Sequence, residues 1–210
     1  MKKIIVTMIV AAFFSTVISF AQVGMSVFGG ISTPNDKLNM VYDKNPDVGT
    51  LFSKGMSIGW HLGARFHVPV DEGLYFFGGL GWNRFNDVQL WVQPKDSTTK
   101  FGIEAKHDII PIGVGMQYYL IQKVIKLYVL GQLNYNYFTT HGQFVGLPAP
   151  NFNLSEAANR GGFSAGFGVE VNALLVNPFL EFSYSLANLI GKVDGEPTKS
   201  YFMLSLGVNL

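Results

Sequence analysis

The chain has 210 residues, 24 of them glycine and none cysteine, with 14% aromatic and only 14% charged residues, and its net charge is +1. A charged fraction well below the ~25% usual for soluble domains argues against an ordinary water-facing globule. The near-zero charge excludes the basic surface that nucleic-acid binding needs, and the missing cysteines exclude a disulfide scaffold.

Lys2 and Lys3 open the chain, followed by an unbroken run of apolar and small residues from Ile4 to Val17 and then by Ser19, Phe20 and Ala21. This order of a charged start, an apolar stretch and small residues predicts a secretory signal peptide over residues 1–21, cleaved after Ala21. A retained anchor is the rival reading, but the run is shorter than the roughly 20 residues that a spanning helix needs. Cleavage removes both lysines, leaving a domain over 22–210 with a net charge of −1. After residue 21 no window is long and apolar enough for a spanning helix, so a membrane crossing has to be made by strands.

Eight alternating runs follow. In the first, Val23, Met25, Val27 and Ile31 oppose Gly24, Ser26, Gly30 and Ser32. In the second, Met56 to Val68 alternates with Ser57, Gly59, His61, Gly63, Arg65 and His67. The third sets Phe76, Leu80 and Trp82 against Gly79, Gly81 and Asn83, with Tyr75 and Phe77 blurring its polar face. The fourth sets Ile110, Ile112, Val114, Met116, Tyr118 and Leu120 against Gly113, Gly115, Gln117 and Tyr119. The fifth opposes Leu127, Val129, Leu133, Tyr135 and Tyr137 to Gln132, Asn134 and Asn136. The sixth opposes Phe163 to Val171 to Ser164, Gly166, Gly168, Glu170 and Asn172. The seventh opposes Leu180, Phe182, Tyr184 and Leu186 to Glu181, Ser183 and Ser185. In the eighth, Phe202, Leu204, Leu206, Val208 and Leu210 enclose Ser205, Gly207 and Asn209. Period two with one apolar face is the pattern of a strand buried on one side.

Connections alternate in length. Short ones fall at Pro69 to Gly73, Ile121 to Lys123 and Asn172 to Leu175, and long ones at Thr33 to Gly55, Phe85 to Ala105, Thr139 to Gly161 and Asn188 to Lys199. Short turns on one rim and long loops on the other are the habit of outer-membrane barrels. Pro111 interrupts the fourth run and, having no N–H to donate, predicts a bulge there. The two faces decide between a membrane barrel and a soluble ligand-binding barrel. An eight-stranded interior just accommodates side chains, and here the polar face is the small one while the bulky residues occupy the apolar face. The expected fold is therefore an all-β, eight-stranded antiparallel up-and-down transmembrane β-barrel, apolar outside.

These runs resemble the small outer-membrane β-barrel proteins of the OmpA/OmpX type, most clearly in Ile110 to Leu120 followed by a tight turn and Leu127-Tyr128-Val129. The resemblance implies a single-domain barrel of the cell envelope with both termini periplasmic and its loops outside, and it carries over no cell-wall tether. Lipid-modifying enzymes share this fold. A lipid A deacylase of that kind has a lipid-facing His-x-Ser-Asn, whereas Ser183 to Asn188, the nearest stretch here, has no histidine to activate a serine.

Chemistry is sparse. His61 and His67 fall on the lumen face, His107 and His141 near the outer rim, and none has metal-ligand spacing. The expectation is no enzyme, no metal and no cofactor. Arg65, Glu170 and Glu181 fall on the small polar face at similar depth, counted at ~3.3 Å per residue from the nearest turns. A charge among lumen side chains is costly unless paired, which predicts a polar network of Arg65, Glu170 and Glu181 completed by Gln117 and Gln132. Beyond Asn83 the alternation continues to Gln93, and Phe101 to Glu104 is placed to pair with it as a hairpin above the membrane. The sequence thus points to an outer-membrane barrel, monomeric and surrounded by outer-membrane lipid. Its role is structural, adhesive or surface-interacting, through loops that meet an extracellular protein or other surface ligand. A narrow pore and a lipid-modifying enzyme are the alternatives.

Overall fold

The computed structural model describes residues 23–35, 58–92, 101–145, 154–173, 176–194 and 198–210, so the expected signal peptide over 1–21 lies outside the described residues. The described chain forms eight strands: β1 (Gly24–Pro34), β2 (Gly59–Asp71), β3 (Leu74–Val92), β4 (Phe101–Gln122), β5 (Ile125–Val145), β6 (Leu154–Val171), β7 (Asn177–Ile190) and β8 (Ser200–Asn209). Each pairs antiparallel with the next, and β8 pairs with β1, which closes the barrel. Closure leaves no ladder edge within the ring, as strands surrounded by lipid require.

Registered partners trace the slant of the strands. From Tyr119 on β4 the path runs through Tyr128, Gly168, Glu181, Ser205, Gly30, His61 and Asn83 and returns to β4 at Ile109, ten residues from its start. That stagger tilts the strands and fixes the bore of the barrel. It also brings residues far apart in sequence to one level of the lumen.

The short connections share one rim. Glu72 and Gly73 join β2 to β3, with Gly73 at φ 76° and the Glu72 N–H bonded to Asp71 Oδ1 at 2.7 Å. A positive φ of this kind is open to glycine and strained for most other residues. Lys123 and Val124 join β4 to β5 on the same side. The opposite rim differs from the sequence reading. Within the long connections expected at Phe85 to Ala105 and Thr139 to Gly161, the described residues 85–92, 101–105, 139–145 and 154–161 are strand: β3 to β6 run for 19, 22, 21 and 18 residues, against 11, 13, 14 and 10 for β1, β2, β7 and β8. Val88 to Val92 pair with Ala105 to Phe101 in the hairpin expected there. One side of the wall is therefore much taller than the other.

The bulge expected at Pro111 is absent. Pro111 keeps register with Asn136 on β5, and on the β3 side its ring lies against Gly81, whose missing side chain makes room for it. The register shifts occur instead at Pro69/Asp71, Phe85/Val88, Tyr119/Ile121 and Gly161/Phe163.

Burial is inverted relative to a soluble protein. Leu62, Phe66, Leu80, Ile112, Val114, Leu133, Phe167, Leu180 and Leu206 are exposed, while Ser26, His61, Arg65, Gln117, Asn134, Glu170 and Glu181 are buried. Two apolar clusters fill the bore. Phe77, Tyr128, Leu130 and Phe179 lie toward the short turns, and Phe85, Ile109, Phe138, Ala187 and Tyr201 toward the loops.

Candidate functional site: the barrel lumen

Inward positions recur every second residue, and the turn-side cluster shows how the bore is filled. Phe28, Phe77, Tyr128 and Phe179 are each registered opposite a glycine on the neighbouring strand, respectively Gly63, Gly115, Gly168 and Gly207. A side chain added at any of these glycines would run into the ring facing it. The lumen glycines are thus the complement of four aromatic rings, and ring and gap together reach the tight packing of a protein interior. Phe28, Tyr128 and Phe179 share the parity of the polar residues in their own strands, so their inward direction was readable from sequence but was masked by their apolar character.

Arg65 lies across this layer. Its two terminal nitrogens donate to both carboxylate oxygens of Glu181, at 2.6 and 2.7 Å, and its guanidinium centre stands 4.5 Å from the Phe28 ring and 5.3 Å from the Phe77 ring. The Tyr128 hydroxyl donates to the same carboxylate at 3.1 Å. A two-pronged pair of this geometry is the strong form of a charge-assisted bond, and the aromatic faces accept the cation on either side.

Glu170 is not part of this group, which corrects the expected network. It accepts from Lys126 Nζ at 2.7 Å, from the Tyr119 hydroxyl at 2.5 Å and from Asn209 Nδ2 at 2.6 Å, nearer the short-turn rim. Lys126 is the second lumen cation that the sequence reading omitted. It shares the inward parity of Gln132 and Asn134, but its place next to the β4–β5 turn made it look like a turn residue. The charges therefore form two neutral pairs, where the sequence reading set one arginine against two glutamates. Gln117 is buried, registered with Tyr75 on β3 and Leu130 on β5. Gln132 belongs to a different level, donating to Asn134 Oδ1 at 2.5 Å, with Asn134 passing the chain on to Ser164 and Ser164 to Ser185.

Between the two apolar clusters lies a cavity of about 40 Å³ with a mixed lining, Phe28, Leu130 and Tyr201 beside Arg65, Gln132 and Ser183 among others. The Ser183 hydroxyl is buried without a protein partner. His61, on the cavity wall, is held by Ser32 at 3.0 Å and Ser205 at 2.8 Å, and nearer the turns His67 meets Ser26 at 2.5 Å. Among the described residues no three or more His, Asp or Glu side chains are gathered as metal ligands. The arrangement can fill and brace a bore. In it each of the buried charges Arg65, Glu170 and Glu181 is answered by a counter-charge.

No family model matches the chain, and no curated protein matches it. Among solved structures it is similar to Neisserial surface protein A, at 15% identity and a TM-score of 0.51 over 90% of this chain and 96% of that one. It is also similar to Ail, the attachment invasion locus protein of Yersinia pestis, at 15% identity and TM-score 0.45 over 90% and 97%. A third is a major outer membrane protein of Thermus thermophilus, at 11% identity and TM-score 0.48 over 89% and 98%. At such identities the likeness is one of fold, and that fold is the closed eight-stranded antiparallel barrel of a small outer-membrane protein.

Proposed function

We propose that the chain is an integral outer-membrane protein whose bore is a structural plug and whose tall hairpins are its working surface, with a structural, adhesive or surface-interaction role toward an extracellular protein or other surface ligand. The observation that carries this reading is the inverted burial: a closed ring with charges and hydroxyls inside and a belt of Leu, Ile, Val and Phe outside. So large an apolar exterior has no stable home in water, and the bilayer supplies one. On this reading the short turns face the periplasm and β3 to β6 stand above the outer leaflet, a topology in keeping with short periplasmic turns and longer outer loops. The filled bore disfavours the narrow-pore alternative. Among the described side chains the serine–histidine pairs, Ser26 with His67 and His61 with Ser32 and Ser205, point into the lumen, away from lipid acyl chains, which disfavours a lipid-modifying enzyme built on them.

The test is fractionation followed by labelling. The mature chain should sediment with outer membranes, resist alkaline carbonate and migrate differently in SDS before and after boiling. Tags placed near Asn45 or Pro150, both outside the described residues, should be reached on intact cells. Recovery in the soluble periplasm would overturn the membrane reading, and labelling only after permeabilisation would invert the orientation.

A further inference from the structure

The outer wall bears a group that the lumen does not explain. Trp60 on β2, Trp82 and Arg84 on β3 and Asp108 on β4 are outward by parity and meet side by side, since Trp60 is registered with Arg84 and Arg84 with Asp108. The indoles of Trp60 and Trp82 stand edge to face at 4.9 Å, and the Arg84 guanidinium lies 5.0 Å from the Trp82 ring centre. Asp108 accepts three N–H donors, Arg84 Nε and Nη2 at 2.9 Å each and Trp82 Nε1 at 3.0 Å. The Asp108 side chain is 8% exposed and the Arg84 side chain 36%. From the short-turn rim up to this level, the outward positions of the described strands carry no Asp, Glu, Lys or Arg. On β4 the charge-free outward run goes from Leu120 to Ile110 and ends at Asp108. That length fits the ~9–11 residues of a transmembrane strand.

We propose that Trp60, Trp82, Arg84 and Asp108 form an anchor in the lipid headgroup layer, fixing the level at which the barrel crosses the bilayer. This rests on the membrane reading above and adds to it where the boundary runs. An ion pair facing acyl chains would be strongly disfavoured. Indoles that bury a ring and present an N–H, stacked with a guanidinium, suit the boundary where glycerol carbonyls and phosphates begin. The anchor lies on the β2–β4 side, where the wall starts to rise. It sets the part of β4 from Phe101 to His107 clear of the hydrocarbon.

Depth-dependent fluorescence quenching tests this. The protein, in a Trp91→Phe background with either Trp60 or Trp82 as the remaining indole, is refolded into phosphatidylcholine vesicles brominated either near the acyl carbonyl or near the chain end. Quenching by the shallow label should exceed that by the deep label by roughly twofold or more for both indoles. The Arg84→Leu/Asp108→Leu double variant should lose most of that difference as the wall sinks inward. Stronger quenching by the deep label, or quenching by neither while the heat-shifted folded band is present, overturns the anchor and leaves the membrane reading standing. Absence of the folded band in every vesicle overturns both.

Discussion

Arg65 shows how a charge is made tolerable in a bore this narrow: a carboxylate takes both prongs of its guanidinium, and Phe28 and Phe77 cover its faces. Removing one member of such a buried pair strands the other, at a cost of about 3–5 kcal/mol. Arg65→Ala should therefore lower the urea midpoint of the detergent-folded protein sharply. Because Glu170 is held by Lys126, Tyr119 and Asn209, the loss should couple to Glu181→Gln and be additive with Glu170→Gln to within ~0.5 kcal/mol. Equal coupling to both carboxylates would restore the single network that the sequence suggested. The glycines give a second contrast. Gly168 faces the Tyr128 ring, while Gly78 on the outer wall has open space around its missing side chain. Gly168→Ala should be destabilising by ~1–3 kcal/mol, the usual penalty for overfilling a packed site. Gly78→Val should be neutral or stabilising, since a β-branched residue suits a strand with a free face. Urea titration of the two variants side by side checks both, and similar losses would mean that the lumen does not discriminate.

At the level of elements, the ring is complete well below the tips of β3 to β6, because β1, β2, β7 and β8 stop earlier. Replacing residues 87–105 by a two-residue turn should accordingly leave the heat-shifted folded band in place and the urea midpoint nearly unchanged, within about 0.5 kcal/mol. Loss of the folded band would make the hairpin part of the barrel's own stability. Strand number, direction and facing were legible because period two is insensitive to tilt and twist, as the runs at Ile110 to Leu120 and Phe163 to Val171 show. Strand ends were not, since above the membrane both faces meet water and alternation loses its physical cause; β5 accordingly runs on to Val145, past the expected end at Thr139. Pro111 was misread for a related reason. A proline removes one donor, but whether the strand must bulge depends on what stands opposite, and Gly81 gives way. In the site, Arg65 and Glu181 were legible from depth counted along single strands. The assignment of Glu170 was not, because the stagger of the ladder decides which residues share a level. Phe77 fell on the polar face in the sequence reading, while Lys126 and the inward rings Phe28, Tyr128 and Phe179, assigned to neither face there, were legible from parity alone.

For the whole molecule the decisive contrast is between a plug and a channel. A conducting barrel needs a continuous column of water, whereas here a cavity of about 40 Å³ lies between one cluster built on Phe77, Tyr128 and Phe179 and another built on Phe85, Phe138 and Tyr201. The Arg65–Glu181 bridge crosses the first of these layers, so an ion moving through would have to displace its rings and a paired charge. Desolvating an ion in such a bore is steeply unfavourable without a coordinating path. The purified chain reconstituted in planar bilayers should therefore show no stepwise conductance above the lipid background. Widening the bore at one layer, by Tyr128→Ala, should still give none, because the loop-side cluster remains. Steady single-channel steps from the unaltered protein, altered in size by Arg65→Gln or Tyr128→Ala, would replace the plug with a gated pore and make the Arg65–Glu181 pair its gate.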